Sequence, residues 1–249
     1  MNPVEIAAWW PQIAATALLG ALLVLDDTAY AQTWLSQPVC GGVLAGLVWG
    51  HPGAGLALGL TVQLLSLGNL PVGQAFVGER VGPLLGAVGA ASAAGWNPGL
   101  PFGGPGAEAG RLGWLLLAVA LGSCLGDRLV RWERVWHTRL VAGAMRGLRE
   151  GRLEVLERAH RSSLAGVAIR GALTTLAVWG LVALLWIPAF SRLPDRVVAA
   201  LALLPWFAPA VAIGSLVELY GSRAGARWIA GGAAGTLALA WTLARLGAS

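Results

Sequence analysis

The chain has 249 residues, of which 57% are apolar and only 12% are charged, and its formal net charge is +5. Soluble domains carry roughly 25% charged residues, so this composition argues against an ordinary soluble domain. It also excludes a disordered chain, which would be poor in apolar residues and rich in charge. The apolar runs approach the length of about 20 residues with which a helix crosses a bilayer. We therefore predict an all-α, polytopic integral membrane protein that forms a single domain over residues 1–249.

The first apolar segment covers residues 4–25 and ends at the acidic pair Asp26 and Asp27. Pro38 opens a second apolar segment, in which Gly42, Gly46 and Gly50 recur every four residues. This spacing predicts a bare stripe on one helix face, where another helix can approach closely.

Residues 50–83 are too broken by glycine and proline for one clean span, and too apolar for a loop in water. In lipid, irregular backbone survives only where protein buries it or where it lines a polar cavity. This region therefore predicts re-entrant or discontinuous helices, of the kind with which transporters build sites near the bilayer midplane.

The densest set of polar side chains in an apolar setting falls in the same region. It consists of Thr61, Gln63, Ser66, Asn69, Gln74 and Glu79. Polar groups at membrane depth are costly, which makes such a cluster a candidate functional site. Amides both donate and accept hydrogen bonds, as is needed to replace the water around a polyol or a sugar. The alternative is that these residues cap broken helices and satisfy loose backbone groups.

An arginine-rich segment follows a glycine- and proline-rich loop at 95–110 and a span at 111–126. Residues 128–161 contain nine arginines and four glutamates, so this segment holds the whole net charge of +5. Basic segments between spans stay on the cytoplasmic side. The apolar residues of 128–161 recur at steps of three and four, which predicts an amphipathic helix in the cytoplasmic interface. Binding of nucleic acid is disfavoured because apolar spans flank the segment on both sides.

Three further spans are predicted at about 165–187, 196–217 and 227–246, so the chain divides into 1–127, 128–161 and 162–249. Neither Cys40 nor Cys124 has a metal-ligand spacing or a partner in a CxxC motif. His51 has no second ligand three or four residues away, which makes metal binding improbable. Motifs of phosphate binding and nucleophilic catalysis are absent from the sequence. We therefore predict no metal, no cofactor and no self-contained enzyme.

The stretch from Gly46 to Glu79, GLVWGHPGAGLALGLTVQLLSLGNLPVGQAFVGE, resembles the IIC component of the mannose/sorbose family of sugar phosphotransferase systems. The positions that match the family pattern are Gly50, Gly55, Gly59, Gln63, Gly68, Gly73, Ala75 and Glu79. Upstream, Asp26 and Asp27 resemble the acidic end of the family's first helix. The chain departs from the pattern at Gln37, His51 and Gly78, where the family usually has arginine, aspartate and proline.

This resemblance implies a multi-pass subunit of the bacterial inner membrane that binds a hexose and carries it inward together with a IID subunit. A cytoplasmic IIB subunit, supplied with phosphate by IIA, would phosphorylate the sugar, so this chain would be a transport subunit and not an enzyme. The resemblance also implies contact with membrane lipid and a homo-oligomer. It places the substrate-binding residues at Gln63, Asn69, Gln74, Glu79 and Asp26. The glycines that allow the broken backbone would be Gly50, Gly55, Gly59, Gly68 and Gly73.

Two other functions stay open at this point. A degenerate member of the family would act as a membrane scaffold or sensor, which fits the histidine at position 51. An ion-coupled permease for small molecules is the second alternative, and the scarcity of carboxylates in the apolar segments argues against it.

Overall fold

A computed structural model describes residues 8–67, 78–99 and 106–221, together with seven single residues between 225 and 235. All regular structure in this described part is helical, which confirms the predicted all-α membrane protein. We number the helices α1 to α9. They are α1 Trp10–Thr28, α2 Pro38–Val48, α3 Pro52–Ser66, α4 Val81–Ala93, α5 Ala107–Arg149, α6 Glu154–Leu181, α7 Ile187–Phe190, α8 Asp195–Leu201 and α9 Leu204–Tyr220.

Within the described residues, three helical stretches are long and apolar enough to cross a membrane: Ala107–Arg149, Glu154–Phe190 and Asp195–Tyr220. The second is α6, which continues through a π-helical turn at Val182–Trp186 into α7. The third bends at Ala202 and Leu203, between α8 and α9. The predicted span at 196–217 is therefore two helices, and the one predicted at 227–246 lies mostly outside the described residues.

Helices α2, α3 and α4 are too short to span a bilayer. Their 11, 15 and 13 residues give lengths of about 16 to 23 Å at 1.5 Å per residue, against a hydrocarbon core of about 30 Å. Helices α2 and α3 form an antiparallel hairpin whose tip is the turn at Gly50 and His51. Gly50 has a φ of +74°, in the left-handed region that favours glycine. The break between α2 and α3 falls at the start of the region predicted to be discontinuous, of which residues 68–77 lie outside the described part.

The hairpin of α2 and α3 closes along the glycine stripe. A Cβ atom on Gly46 would stand 2.6 Å from the His51 carbonyl oxygen, and one on Gly59 would stand 2.5 Å from that of Pro38. Gly42 and Gly55 face each other backbone to backbone in the same way. The helix axes approach this closely because no side chain intervenes, as the four-residue spacing predicts.

The arginine-rich segment is not the separate interfacial helix that the sequence predicts. Its first part continues the predicted span at 111–126 within the single 43-residue helix α5. No proline occurs between Ala107 and Arg149, and nothing else in that stretch breaks the helix. The turn comes at Gly151, with a φ of +78°, and α6 then folds back along α5. The segment at 128–161 is thus the end of a long helical hairpin.

Helix α4 lies at the centre of the bundle and is buried from Val81 to Ser92. Its glycines admit the backbone of α6, because a Cβ on Gly86 would stand 2.5 Å from the Thr175 carbonyl oxygen and 2.8 Å from the Trp179 nitrogen. The core beside it is a close-packed cluster of leucine, valine and alanine from α1 and from α3 to α6. Small residues along α4 thus let the spans pack against a short central helix.

Candidate functional site

The polar side chains gather at one end of the bundle, where α1 ends and α4 begins. We call it the arginine-rich end, because the projecting part of the α5–α6 hairpin starts there. The connecting segment at 78–80 leads into α4 at this level and contacts α5 and α6. This end therefore holds the candidate site.

Glu79 is buried and lies at the centre of a network of ion pairs and hydrogen bonds. Its backbone N–H donates to Asp127 Oδ1 at 2.8 Å, and its Oε1 accepts from the Gly82 N–H at 3.2 Å. Its other carboxylate oxygen pairs with Arg170 of α6, which also pairs with Glu133 of α5. Glu79 therefore joins α4, α5 and α6, and both its oxygens already have protein partners.

His137 extends this network along the α5–α6 hairpin. Its Nε2 lies 3.7 Å from Glu133 Oε1 and 3.1 Å from Ser163 Oγ. Polar contacts thus run from the segment at 78–80, through Arg170 and Glu133, to a histidine in the arginine-rich part. Sequence reasoning did not single out this histidine.

Asp26 is buried and organises the loop after α1. Its Oδ1 accepts from both the backbone N–H and the hydroxyl of Thr33, each at 2.7 Å, and its Oδ2 accepts from the Ser36 N–H at 3.1 Å. Both carboxylate oxygens therefore accept hydrogen bonds from within the protein. This geometry assigns Asp26 a structural role at the end of α1. Its predicted contact with substrate stays a prediction.

Gln63 lies near the end of α3, beside the start of α2. Its Nε2 donates to Gln37 Oε1 at 3.1 Å, while its Oε1 is buried without a hydrogen-bond partner among the described residues. A buried amide oxygen without a partner is costly, unless a ligand or water satisfies it. Gln63 is therefore the predicted site residue with the clearest free bonding capacity.

The other predicted residues divide into two sets. Gly50, Gly55 and Gly59 form the turn and the contact face of the α2–α3 hairpin, as described above. Gly68, Asn69, Gly73 and Gln74 lie outside the described residues, so their roles stay predictions.

A cavity of about 430 Å³ opens beside this network. Its polar lining comes from Ser66 of α3, Arg80 before α4, and Ser123, Asp127 and Arg131 of α5. Its apolar lining comes from Val62, Leu65, Gly78, Leu116, Val119 and Ala120. Gln63 itself does not line the cavity, although it directly follows Val62, which does. Most pockets for small ligands have volumes of about 300–1,000 Å³ and combine apolar walls with a few polar groups, and this cavity fits both criteria.

The charges at the cavity come from groups that sequence reasoning did not select. Arg80 lies within electrostatic reach of Asp27, Glu79 and Asp127, and its Nη2 is buried without a hydrogen-bond partner among the described residues. The sequence did contain a signal for Arg170, because a lone arginine within an apolar helix is costly and needs a partner. The sequence signal for Asp127 was weaker, since this residue lies at the predicted end of a span, where charged residues are common.

The side chains at this end can bind a polar ligand. Hydroxyls, one carboxylate and two guanidinium groups offer donors and acceptors to a polar, uncharged or anionic ligand. Among the residues that the structure describes, no three histidine, cysteine or carboxylate side chains are placed to hold a metal ion.

A family model described as "PTS system sorbose-specific iic component" matches residues 10–242. Within the described part of the chain, the match covers helices α1 to α9 and the segment at 78–80. No protein among the curated sequences matches the chain.

Proposed function

Because the chain belongs to the family of sorbose-specific IIC components of the phosphotransferase system, we propose that it binds a hexose in the cavity at the arginine-rich end and carries it across the membrane. Members of this family are membrane subunits for sugar transport, which associate with other components of the system and act on a sugar. The cavity is the observation that supports the finer proposal. Its hydroxyl, carboxylate and guanidinium groups suit sugar hydroxyls, and its leucine and valine walls suit the C–H face of a sugar ring.

The proposal includes the partners that phosphotransfer requires. A IID subunit completes the membrane complex, and cytoplasmic IIA and IIB subunits supply the phosphate. The chain then lies in a bacterial inner membrane, in contact with lipid and as part of a homo-oligomeric assembly. Nine arginines at 128–161 support a cytoplasmic position for the arginine-rich end, because basic segments are retained on that side.

Gln63 supports a sugar site that extends beyond the cavity wall. Its unpartnered Oε1 would accept a hydrogen bond from a sugar hydroxyl, and its neighbours Val62 and Ser66 line the cavity. Asn69 and Gln74 stay candidates for further hydroxyls. Glu79 and Asp26 contribute by holding the backbone around the site, because their carboxylates are already bonded within the protein.

An ion-coupled permease is the main rival function. The described residues do contain more carboxylates at the arginine-rich end than the sequence suggested. However, Glu79 and Glu133 are both paired with Arg170, so neither is a free carrier of a cation. The pairing favours a site for a neutral solute.

Binding of radiolabelled hexoses to the purified chain with its IID subunit tests this proposal. Ser123→Leu would fill the cavity from α5, whereas Cys124→Leu places the same side chain on the exposed neighbouring position. We expect Ser123→Leu and Gln63→Ala each to weaken hexose binding by at least tenfold, and Cys124→Leu to bind as the unaltered chain does. Unchanged binding in both Ser123→Leu and Gln63→Ala would show that the site lies elsewhere.

A further inference from the structure

The far end of the α5–α6 hairpin carries a dense and exposed set of positive charges. We call it the distal arginine surface, formed by Arg139, Arg146, Arg149, Arg152 and Arg158, all of which are exposed. Arg152 pairs with Glu150, and the other four form no ion pair with any residue that the structure describes. By contrast, Arg170 near the bundle is held between two carboxylates. Four of the five distal arginines therefore have no carboxylate partner among the described residues.

This surface extends well beyond the bundle. Helix α5 runs 16 residues past Glu133 before it ends at Arg149, which corresponds to about 24 Å at 1.5 Å per residue. The headgroup layer on each side of a bilayer is only about 5–8 Å thick. Arg139 lies 14 residues beyond Leu125, where the apolar run of α5 ends, which corresponds to about 21 Å. For an α5 that runs along the bilayer normal, this places the distal arginine surface in water above the headgroups. Its position favours a soluble partner over a lipid surface.

Apolar side chains accompany the charges. Met145, Leu153 and Leu156 are 51%, 75% and 55% exposed. Arginine and methionine are enriched in protein interfaces, whereas lysine, which this chain lacks, is depleted there. A partner that fits this surface has acidic residues around an apolar patch.

The hairpin also links this surface to the cavity. Helix α5 lines the cavity with Ser123, Asp127 and Arg131, and the same helix continues without a break to Arg139 and Arg146. A protein that docks on the distal part of α5 would be held at the arginine-rich end, on the same side of the molecule as the cavity.

From this geometry we propose that the distal arginine surface is the docking site for the acidic face of the soluble component that phosphorylates the sugar. This inference rests on the proposed function, because it takes the partner to be a cytoplasmic phosphoryl carrier. Complementary charge accelerates encounter and selects the partner, and the long hairpin presents that charge away from the membrane.

A charge-reversal pair tests the docking site. The full chain, with its IID subunit, is placed in phosphatidylcholine nanodiscs, and binding of the purified IIB component of the same system is measured by biolayer interferometry. Arg139 and Arg146 are seven residues apart, about two helical turns, and so share one face of α5. We expect Arg139→Glu/Arg146→Glu to weaken IIB binding by at least tenfold and to leave hexose binding and thermal stability unchanged.

The matched control is Arg192→Glu/Arg196→Glu. It makes the same change of charge at two exposed arginines, one in the turn after α7 and one in α8. We expect this variant to bind IIB as the unaltered chain does. Equal IIB affinity in both double variants would overturn the docking site. Sedimentation with phosphatidylglycerol vesicles is measured as well. If Arg139→Glu/Arg146→Glu weakened only this sedimentation and kept its affinity for IIB, the docking site would also be overturned, in favour of a lipid surface. Absence of hexose binding by the unaltered chain would instead contradict the proposed function.

Discussion

A charge within an apolar helix needs a partner, and Arg170 has two. The guanidinium group is only 11% exposed, and it lies between Glu79 and Glu133, which are 5% and 11% exposed. Each of these three residues belongs to a different element, so the pairs fix the segment at 78–80 against both arms of the hairpin. Removal of one member from a buried pair leaves an uncompensated charge, which costs about 3–5 kcal/mol.

We predict that Arg170→Met lowers the stability of the chain by about 3–5 kcal/mol, because two buried carboxylates lose their partner. Arg161→Met is the matched control. Its pair with Glu157 is exposed, so we expect a loss below about 1 kcal/mol. Thermal unfolding in nanodiscs, followed by tryptophan fluorescence, measures both. Equal shifts in the two variants would contradict a structural role for the buried cluster.

Sequence reasoning reached part of this residue-scale picture. It selected Glu79 as part of a polar cluster in an apolar region and Asp26 from the family resemblance, and both side chains are buried. It could not show that Glu79 is already paired, because Arg170 is 91 residues away from Glu79. A contact over that distance depends on how α4 and α6 pack, and no local pattern records it.

At the scale of elements, the hairpin of α2 and α3 depends on the absence of side chains. Its tip places Trp49 within the bundle, where Nε1 donates to Thr16 Oγ1 at 2.8 Å and the ring stacks on Trp179 at 6.3 Å between centroids. The tip of the α2–α3 hairpin is thus anchored by an aromatic side chain, while its two arms are held together by backbone contact between glycines.

We predict that Gly55→Ala disrupts the hairpin, whereas Gly53→Ala leaves it intact. A methyl group on Gly55 would overlap the Gly42 backbone carbonyl and stand 3.2 Å from the Gly46 Cα, neither of which is a flexible side chain. On Gly53 its nearest neighbour would be Asn97 Oδ1 at 3.9 Å. We expect Gly55→Ala to lower the unfolding temperature by several degrees, since overpacking costs about 1–3 kcal/mol.

The two glycine variants are compared by thermal unfolding and by the yield of monodisperse protein. Both replace glycine by alanine in one helix, so helix propensity cancels between them. If Gly55→Ala were as stable as Gly53→Ala, the close approach of α2 and α3 would be contradicted.

The elements that the sequence predicted well are those with a strong local pattern. The four-residue glycine spacing predicted the contact face of α2, and the breaks at 50–53 predicted short helices. The end of the predicted span at residue 126 was wrong as a helix boundary. Hydropathy changes there, but the residues that follow are good helix formers without proline, so the helix continues to Arg149. Hydropathy marks where a helix leaves lipid and does not mark where it ends.

At the scale of the whole molecule, the charge is arranged along one axis. Residues 128–161 hold the net charge of +5 and form the projecting hairpin, while Trp96, Trp114 and Phe190 pack together at the opposite end. From the positive-inside preference we predict that the hairpin lies in the cytoplasm and the aromatic end outside.

Substituted cysteines test this orientation, after Cys40 and Cys124 have been replaced by alanine. We predict that a membrane-impermeant maleimide added to intact cells labels Arg192→Cys and spares Arg149→Cys, and that inside-out vesicles give the reverse. Both positions are exposed arginines, so reactivity differs only with the side of the membrane. Labelling of Arg149→Cys in intact cells would contradict a cytoplasmic hairpin.

Group translocation of a hexose is distinguished from other transport by the chemical state in which the sugar emerges. Inside-out vesicles that contain the chain and its IID subunit are filled with radiolabelled hexose and supplied outside with phosphoenolpyruvate and the soluble components. We predict that the label emerges as sugar phosphate, at a rate that an uncoupler does not change and that Ser123→Leu abolishes. Emergence of unmodified sugar, at a rate that collapses with the uncoupler, would contradict the account and establish an ion-coupled permease.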